Sequence, residues 1–223
     1  MNQPQFDAIE IETSPNPGHA VIWLHGLGAD ANDFVPLVPE LGLKNHPPIR
    51  FVFPNAPVQP VTINGGMPMR AWYDILNADL VRREDEQGIL DSERLIQALI
   101  KRENDRGIPT EKIVLAGFSQ GCAMTLHTGT RFGQKLAGLV GLSGYLPLSD
   151  LFAAQRHSAN QDTPIFMAHG TQDPVVTLDR AQASCELLQK LGYQVTFKTY
   201  TMPHSVCLPE ISDIADFLRK VLL

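Results

Sequence analysis

Lys112-Ile113-Val114-Leu115-Ala116-Gly117-Phe118-Ser119-Gln120-Gly121 carries an apolar run straight into the pattern G-x-S-x-G. A buried strand ending in that pentapeptide, followed by a helix-capable stretch (Cys122 to Thr130), is the signature of a nucleophile elbow. The turn is tight enough to put the serine in a strained backbone conformation, which lifts its hydroxyl above the sheet edge. Small neighbours let the strand and the following helix approach one another. The pentapeptide alone is weak, since glycine and serine are common in ordinary loops. Its flanking strand and helix give it weight, and they make Ser119 the candidate nucleophile.

A serine hydroxyl is a poor nucleophile at neutral pH and needs a base, which in turn needs an orienting group. On this kind of scaffold the chain order is serine, acid, histidine. Downstream of Ser119 stand His127, His157, His169 and His204. His127 falls inside the helix after the elbow, too far along to reach the hydroxyl. His157 lies in a polar stretch, Ala154 to Thr163, that reads as surface loop. His169 ends the apolar run Pro164 to Ala168 and suits a strand end. His204 follows the alternating strand Tyr193 to Tyr200 and precedes an amphipathic helix. It therefore sits beyond the C-terminal end of a late strand, where open α/β sheets place their chemistry. His204 is the expected base.

The same geometry selects the acid. Asp173, in His169-Gly170-Thr171-Gln172-Asp173-Pro174, lies just past the preceding strand. Asp150 and Asp162 sit in loops that begin or precede strands. Asp179 reads as a favourable charge at a helix N-terminus. Asp173 is expected to accept a hydrogen bond from the imidazole and so fix its tautomer. The alternative for Asp173 is a plain turn residue before proline.

A charge developing on a carbonyl oxygen needs two N–H donors, one after the nucleophile and one on an early strand-to-helix loop. Gln120 supplies the first. The run Ala20 to Leu24, followed by His25-Gly26-Leu27-Gly28-Ala29-Asp30, supplies the loop, with Leu27 as second donor and Gly26 or Gly28 as alternatives. His25, upstream of the nucleophile, reads as a structural loop histidine.

The chain's 223 residues, 43% hydrophobic and 19% charged, suit one α/β domain spanning 1–223. A formal charge of −6 without a basic stripe argues against nucleic acid as a partner. The cysteines are three and scattered, which indicates neither a disulfide framework nor a metal knuckle. Cys122 and Cys207 read as packing residues. No apolar stretch approaches membrane-spanning length, and Met1 to Ile11 lacks a basic-then-apolar leader pattern, so a cytoplasmic protein without stable membrane insertion is expected.

Strands are expected at Asp7 to Glu12, Ala20 to Leu24, Ile49 to Phe53, Lys112 to Phe118, Leu136 to Ser143, Thr163 to Ala168 and Gln194 to Tyr200. Several are continuous apolar runs, as parallel strands covered on both faces require. Helical stripes cover Ile89 to Arg106, Leu178 to Leu191, and a last helix carrying Ile211, Ile214, Leu218 and Val221. The expectation is a mostly parallel, doubly wound sheet with helices on both faces. Residues 54–88 break the rhythm with Pro54, Pro57, Pro60, Pro68 and Gly65-Gly66. A loop this long is often functional. It is expected to fold over the elbow, with Met67, Met69 and Trp72 lining the acyl site; the competing reading packs Trp72 in the core.

Taken in order, Leu24 to Asp30, Arg70-Ala71-Trp72-Tyr73-Asp74, Gly117 to Gly121, His169-Gly170 with Asp173 to Val176, and Met202 to Val206 resemble the small carboxylesterases grouped with acyl-protein thioesterases and lysophospholipases. The resemblance implies a compact α/β-hydrolase fold without a large cap domain, often able to form a homodimer. It also implies a triad of Ser119, Asp173 and His204, with Leu27 and Gln120 as oxyanion donors, in agreement with the reading above. Two positions depart from the family pattern. Pro203 stands where a glycine usually precedes the histidine, and Cys122 stands where a second glycine follows the elbow.

The leading expectation is a serine carboxylesterase acting on short- to medium-chain esters, with no metal or cofactor required. The alternative is a thioesterase or lysophospholipase acting on lipidated proteins or lysolipids, since the chemistry is the same. A binding module that keeps the fold without the reaction is the rival of another class. The complete set of chemical groups argues against it.

Overall fold

Period-two alternation along the strand at Ala20, Ile22 and Leu24 against Val21 and Trp23 sends side chains into two separate hydrophobic clusters. That is what a sheet covered on both faces demands. In the computed structural model, which describes residues 6–44, 46–77 and 84–222, these residues lie in an inner strand of a seven-stranded sheet. Residues 1–5 of the N-terminal reading and 78–83 of the proline-rich segment lie outside the described residues.

The sheet strands are β1 (Ala8–Glu12), β2 (His19–Leu24), β3 (Ile49–Pro54), β6 (Ile113–Phe118), β7 (Gly138–Leu142), β8 (Ile165–Gly170) and β9 (Val195–Tyr200). Their spatial order is β1-β3-β2-β6-β7-β8-β9, and only β1 runs antiparallel to its neighbour. The chain leaves β2 toward β3 on one side, whereas β6 leads to β7 on the other. The loops after β2 and β6 thus diverge over a crevice, the topological switch point where open α/β sheets bind ligands.

Helices α2 (Glu86–Asp105), α3 (Gln120–Arg131) and α5 (Leu178–Lys190) bury Ile89, Ile96, Leu126 and Leu188 against one sheet face. The opposite face takes Val38 of the one-turn α1 (Leu37–Glu40), and Ile211, Ile214 and Leu218 of α6 (Leu208–Leu222). Helix α2 starts three residues before the expected Ile89, because Asp85 caps it by accepting the Gly88 N–H. A short helix, α4 (Ser149–Gln155), occupies a stretch where no helix was expected.

The proline-rich segment is not a plain loop. It contains a hairpin of β4 (Val58–Val61) and β5 (Met67–Arg70), closed through Gly65 and Gly66, both at positive φ. Pro60 pairs opposite Pro68, so the two missing N–H groups fall on one rung of the ladder. Two prolines therefore cost the hairpin a single rung.

Candidate active site

The elbow is as tight as its glycines require. A Cβ on Gly117 would overlap the Gly121 carbonyl, and one on Gly121 would overlap the carbonyl of Leu24 on β2. Strand, turn and helix touch backbone to backbone here, which only glycine permits. Ser119 adopts φ 56° and ψ −117°, a sparsely populated region for a non-glycine residue and a store of strain. Its N–H donates to the Leu142 carbonyl at the end of β7, 2.8 Å away, which anchors the turn.

Three loops from the same sheet edge converge on that hydroxyl. Ser119 Oγ lies 2.9 Å from His204 Nε2, and His204 Nδ1 lies 2.6 Å from Asp173 Oδ2. The buried carboxylate can only accept, so Nδ1 carries the proton and Nε2 is left to accept from the serine. The other oxygen, Asp173 Oδ1, accepts the N–H groups of Val175 and Val176 at 2.8 and 3.0 Å. Phe118 packs against the imidazole at a centroid distance of 4.7 Å.

The acid and base loops are also joined to each other. Thr171 N–H donates to the Tyr200 carbonyl (2.8 Å) and Gln172 N–H to that of Met202 (3.1 Å). A Cβ on Gly170 would overlap the carbonyls of both Met202 and Pro203. Pro203, the departure before the histidine, is exposed and presents its carbonyl to Gly170 and to Ser205 N–H. Its missing N–H does not keep His204 from Ser119.

The remaining histidines are employed elsewhere. His127 is buried and pairs with Glu93 of α2 at 3.3 Å. His157 accepts the Ala159 N–H at the surface. His169, behind the acid, donates from Nε2 to the Val176 carbonyl at 2.8 Å and lies 3.4 Å from Asp173 Oδ2. Burial lowers its pKa, as it does for His25, so both rings are neutral. His25 accepts the Ala56 N–H on Nε2 (3.0 Å), which leaves Nδ1–H to donate to the Gly26 carbonyl (2.7 Å). Asp150 and Asp179 fall in the first turns of α4 and α5.

Of the three early-loop donors weighed, Gly28 is engaged: its N–H donates to the Arg70 carbonyl at 2.8 Å. The Leu27 N–H has no protein partner among the described residues, and Leu27 lines the cavity over Ser119. The Gln120 N–H is the first of α3 and therefore has no intrahelical acceptor. Both groups are available to an oxyanion.

That cavity holds about 240 Å³ and is walled by Leu27, Phe118, Tyr73, Ile75, Tyr145 and Val176, with Val175 60% exposed at its rim. A larger cleft, about 490 Å³, lies between α4 and α5 and touches none of Ser119, Asp173 and His204. The residues expected to line the acyl site need correction. Met67 is 62% exposed on the hairpin, Met69 packs toward Gly28, and Trp72 is buried beneath the site; none of the three walls the cavity. Their neighbours Tyr73 and Ile75 do. Sequence reasoning missed Tyr145, which follows β7, and Val176, which follows β8 three residues beyond the acid. The two tyrosine hydroxyls meet at 3.0 Å.

Cys122 has no part in this chemistry. Burial pushes its thiol far up, and its side chain fills the space left by Gly141 and Gly144 on and after β7. The departure after the elbow is thus matched by two glycines opposite it. Among the described residues, no group of three or more His, Cys, Asp or Glu is placed to hold a metal ion, and no helix is long and apolar enough to cross a membrane.

The sequence profile described as phospholipase/carboxylesterase matches residues 7–222. The acyl-protein thioesterase 1 of Yarrowia lipolytica is 41% identical over 224 residues, spanning 97% of this chain and 98% of its own. The acyl-protein thioesterase 1 of Neurospora crassa is 44% identical over 211 residues, spanning 91% and 86%. Among solved structures, Arabidopsis thaliana SOBER1 is similar with a TM-score of 0.85 at 31% identity, over 92% of this chain and 99% of that one.

Proposed function

This chain belongs to the phospholipase/carboxylesterase family, and from that premise we propose that it is a serine hydrolase releasing acyl groups from thioesters, as an acyl-protein thioesterase does. The observation that carries the reading is the run of relatives bearing that name at 37–44% identity over nearly the whole chain. The expectation of a short- to medium-chain carboxylesterase gives way to it. Oxygen esters remain within reach, since a serine acyl-enzyme forms from either.

In this reading Ser119 Oγ attacks the acyl carbonyl while His204 Nε2 takes its proton. Asp173 holds the opposite ring nitrogen and stabilises the imidazolium. The carbonyl oxygen, now negative, accepts from the N–H groups of Leu27 and Gln120, each such donor being worth ~100- to 1000-fold in turnover. The carbon–sulfur or carbon–oxygen bond breaks, and His204 returns the proton to the departing thiolate or alkoxide. Water, deprotonated by His204, then attacks the acyl-Ser119 carbonyl and frees the acid. The cavity is smaller than the ~300 Å³ at which drug-sized pockets begin, so a long acyl chain extends over its rim at Val175.

The test is a set of initial rates on p-nitrophenyl esters from acetate to palmitate, beside an S-palmitoyl peptide and a lysophosphatidylcholine, with Ser119→Ala as blank. Preference for the S-palmitoyl peptide supports the proposal. A maximum at acetate or butyrate with no thioester cleavage restores the carboxylesterase, and a maximum on the lysolipid makes it a lysophospholipase.

A further inference from the structure

The two candidate oxyanion donors come from separate arms. One arm follows β2, and the other begins α3. The ladder between β2 and β6 fixes their roots, but the donors stand above it, past the last paired residues Leu24 and Gly117. Across that gap lies the segment Arg70–Tyr73, bonded to both arms.

On the first arm, Arg70 accepts the Gly28 N–H at 2.8 Å, and the Trp72 indole Nε1–H donates to the His25 carbonyl at 2.9 Å. The Trp72 and His25 rings pack at a centroid distance of 5.4 Å. On the second arm, the Gln120 side-chain amide makes two bonds to the same segment. Its Oε1 accepts the Trp72 N–H and its Nε2 donates to the Tyr73 carbonyl, each at 2.7 Å. Ser92 of α2 donates to the Trp72 carbonyl from behind. Gln120 is 3% exposed and Trp72 2%. A glutamine amide with both ends used on the backbone of consecutive residues is a fixed spacer, since any rotation of its amide or shift of the segment breaks two bonds at once.

We propose that Trp72 and Gln120 are positioning residues: through Arg70–Tyr73 they brace the two arms and set the separation of the Leu27 and Gln120 N–H groups. The inference rests on those groups being the oxyanion donors. Trp72 thereby acts on the reaction without touching substrate, and the Gln120 residue serves twice, by its backbone and by its side chain. Displacing a reacting geometry by about 1 Å can cost ~100-fold in rate.

Trp72→Phe keeps a six-membered ring and deletes the pyrrole ring with its N–H; Gln120→Met keeps the length and deletes both side-chain hydrogen bonds. Each is assayed on p-nitrophenyl butyrate, per active site titrated with a fluorophosphonate, and by the affinity of an alkyl trifluoromethyl ketone, which forms an anionic tetrahedral adduct on serine. Expected are a ~10- to 100-fold fall in kcat, KM within about twofold, and a matching fall in ketone affinity. A structural role alone lowers the thermal midpoint and the titrated fraction but leaves kcat per site and ketone affinity unchanged, and that result overturns the proposal. So does a rise in KM with ketone affinity kept, which makes Trp72 a wall for substrate. Should one variant not fold, the other decides. Failure of the wild-type chain to react with the fluorophosphonate is the separate failure of the serine-hydrolase reading.

Discussion

The two ends of the central sheet are built on opposite terms. At the end where the parallel strands begin, Arg50 lies between Glu12 (2.9 Å) and Glu103 (2.7 Å), and Arg106 between Glu103 and Glu10 (both 2.9 Å). Arg102 also pairs with Glu10. Each of these charges meets an opposite one, and Glu103 is fully enclosed. At the other end, where the strands finish, the backbone of Ser119 is strained and the N–H of Leu27 has no partner among the described residues. Paired charges hold the first end, whereas strain and open donors are kept where a ligand is to use them. Charge pairing is concentrated at one end and strained, open backbone at the other.

Substitutions at each end test that division. Ser119→Ala should lower kcat at least ~10⁴-fold and leave the thermal midpoint within about 2 °C, since it touches no packing; a large loss of stability would break the comparison. Gly121→Ala attacks both properties, because its Cβ meets the Leu24 carbonyl. A fall of ~100-fold in kcat together with ~1–3 kcal/mol of stability is expected from steady-state rates and urea melts. Glu103→Ala leaves Arg50 to Glu12 alone and Arg106 to Glu10 alone and should cost ~1–3 kcal/mol in urea unfolding, while kcat per titrated site stays within about twofold. A change in kcat there would join the two ends.

Acidity sharpens the contrast further. Burial opposes ionisation of Glu10, but Arg106 and Arg102 hold its carboxyl below the ordinary value. Its contribution to stability is therefore present at neutral pH and lost as pH falls through the folded pKa. Glu210, in the first turn of α6 beyond the His204 loop, behaves oppositely. Burial pushes its carboxyl up to about 7, and Oε1 has no hydrogen-bond partner among the described residues. The folded chain holds that proton more tightly, so stability falls as pH rises from the unfolded value toward 7 and stays reduced above it. Glu210→Gln should therefore stabilise the protein at pH 8 by ~1–3 kcal/mol and by nothing below about pH 4. Thermal midpoints of the two proteins across pH would show it, and a constant offset would exclude the effect.

The reactive end was the more legible in the sequence. An elbow needs glycine at fixed places, and its partners stand just past strand ends, so Ser119, Asp173 and His204 could be named from spacing and the structure brings them together. Strand cores were equally plain, with boundaries shifted by up to two residues at β7 and β8. The ionic end left no local trace, because Arg50 and Glu103 are 53 residues apart and Arg102 and Glu10 are 92 apart. The hairpin hid behind Pro60 and Pro68, whose presence argues against a strand until they are seen to face each other. The sequence reading offers Trp72 as an acyl-site residue or as core, and the structure buries it. Its hydrogen bonds to His25 and Gln120 depend on three loops meeting, which no periodicity records.

Gly170 lets the carbonyls of Met202 and Pro203 come closer than any side chain would allow, so the loops that carry Asp173 and His204 are backed onto each other. A methyl group at that one position would have to part the two loops, and with them the acid from its base.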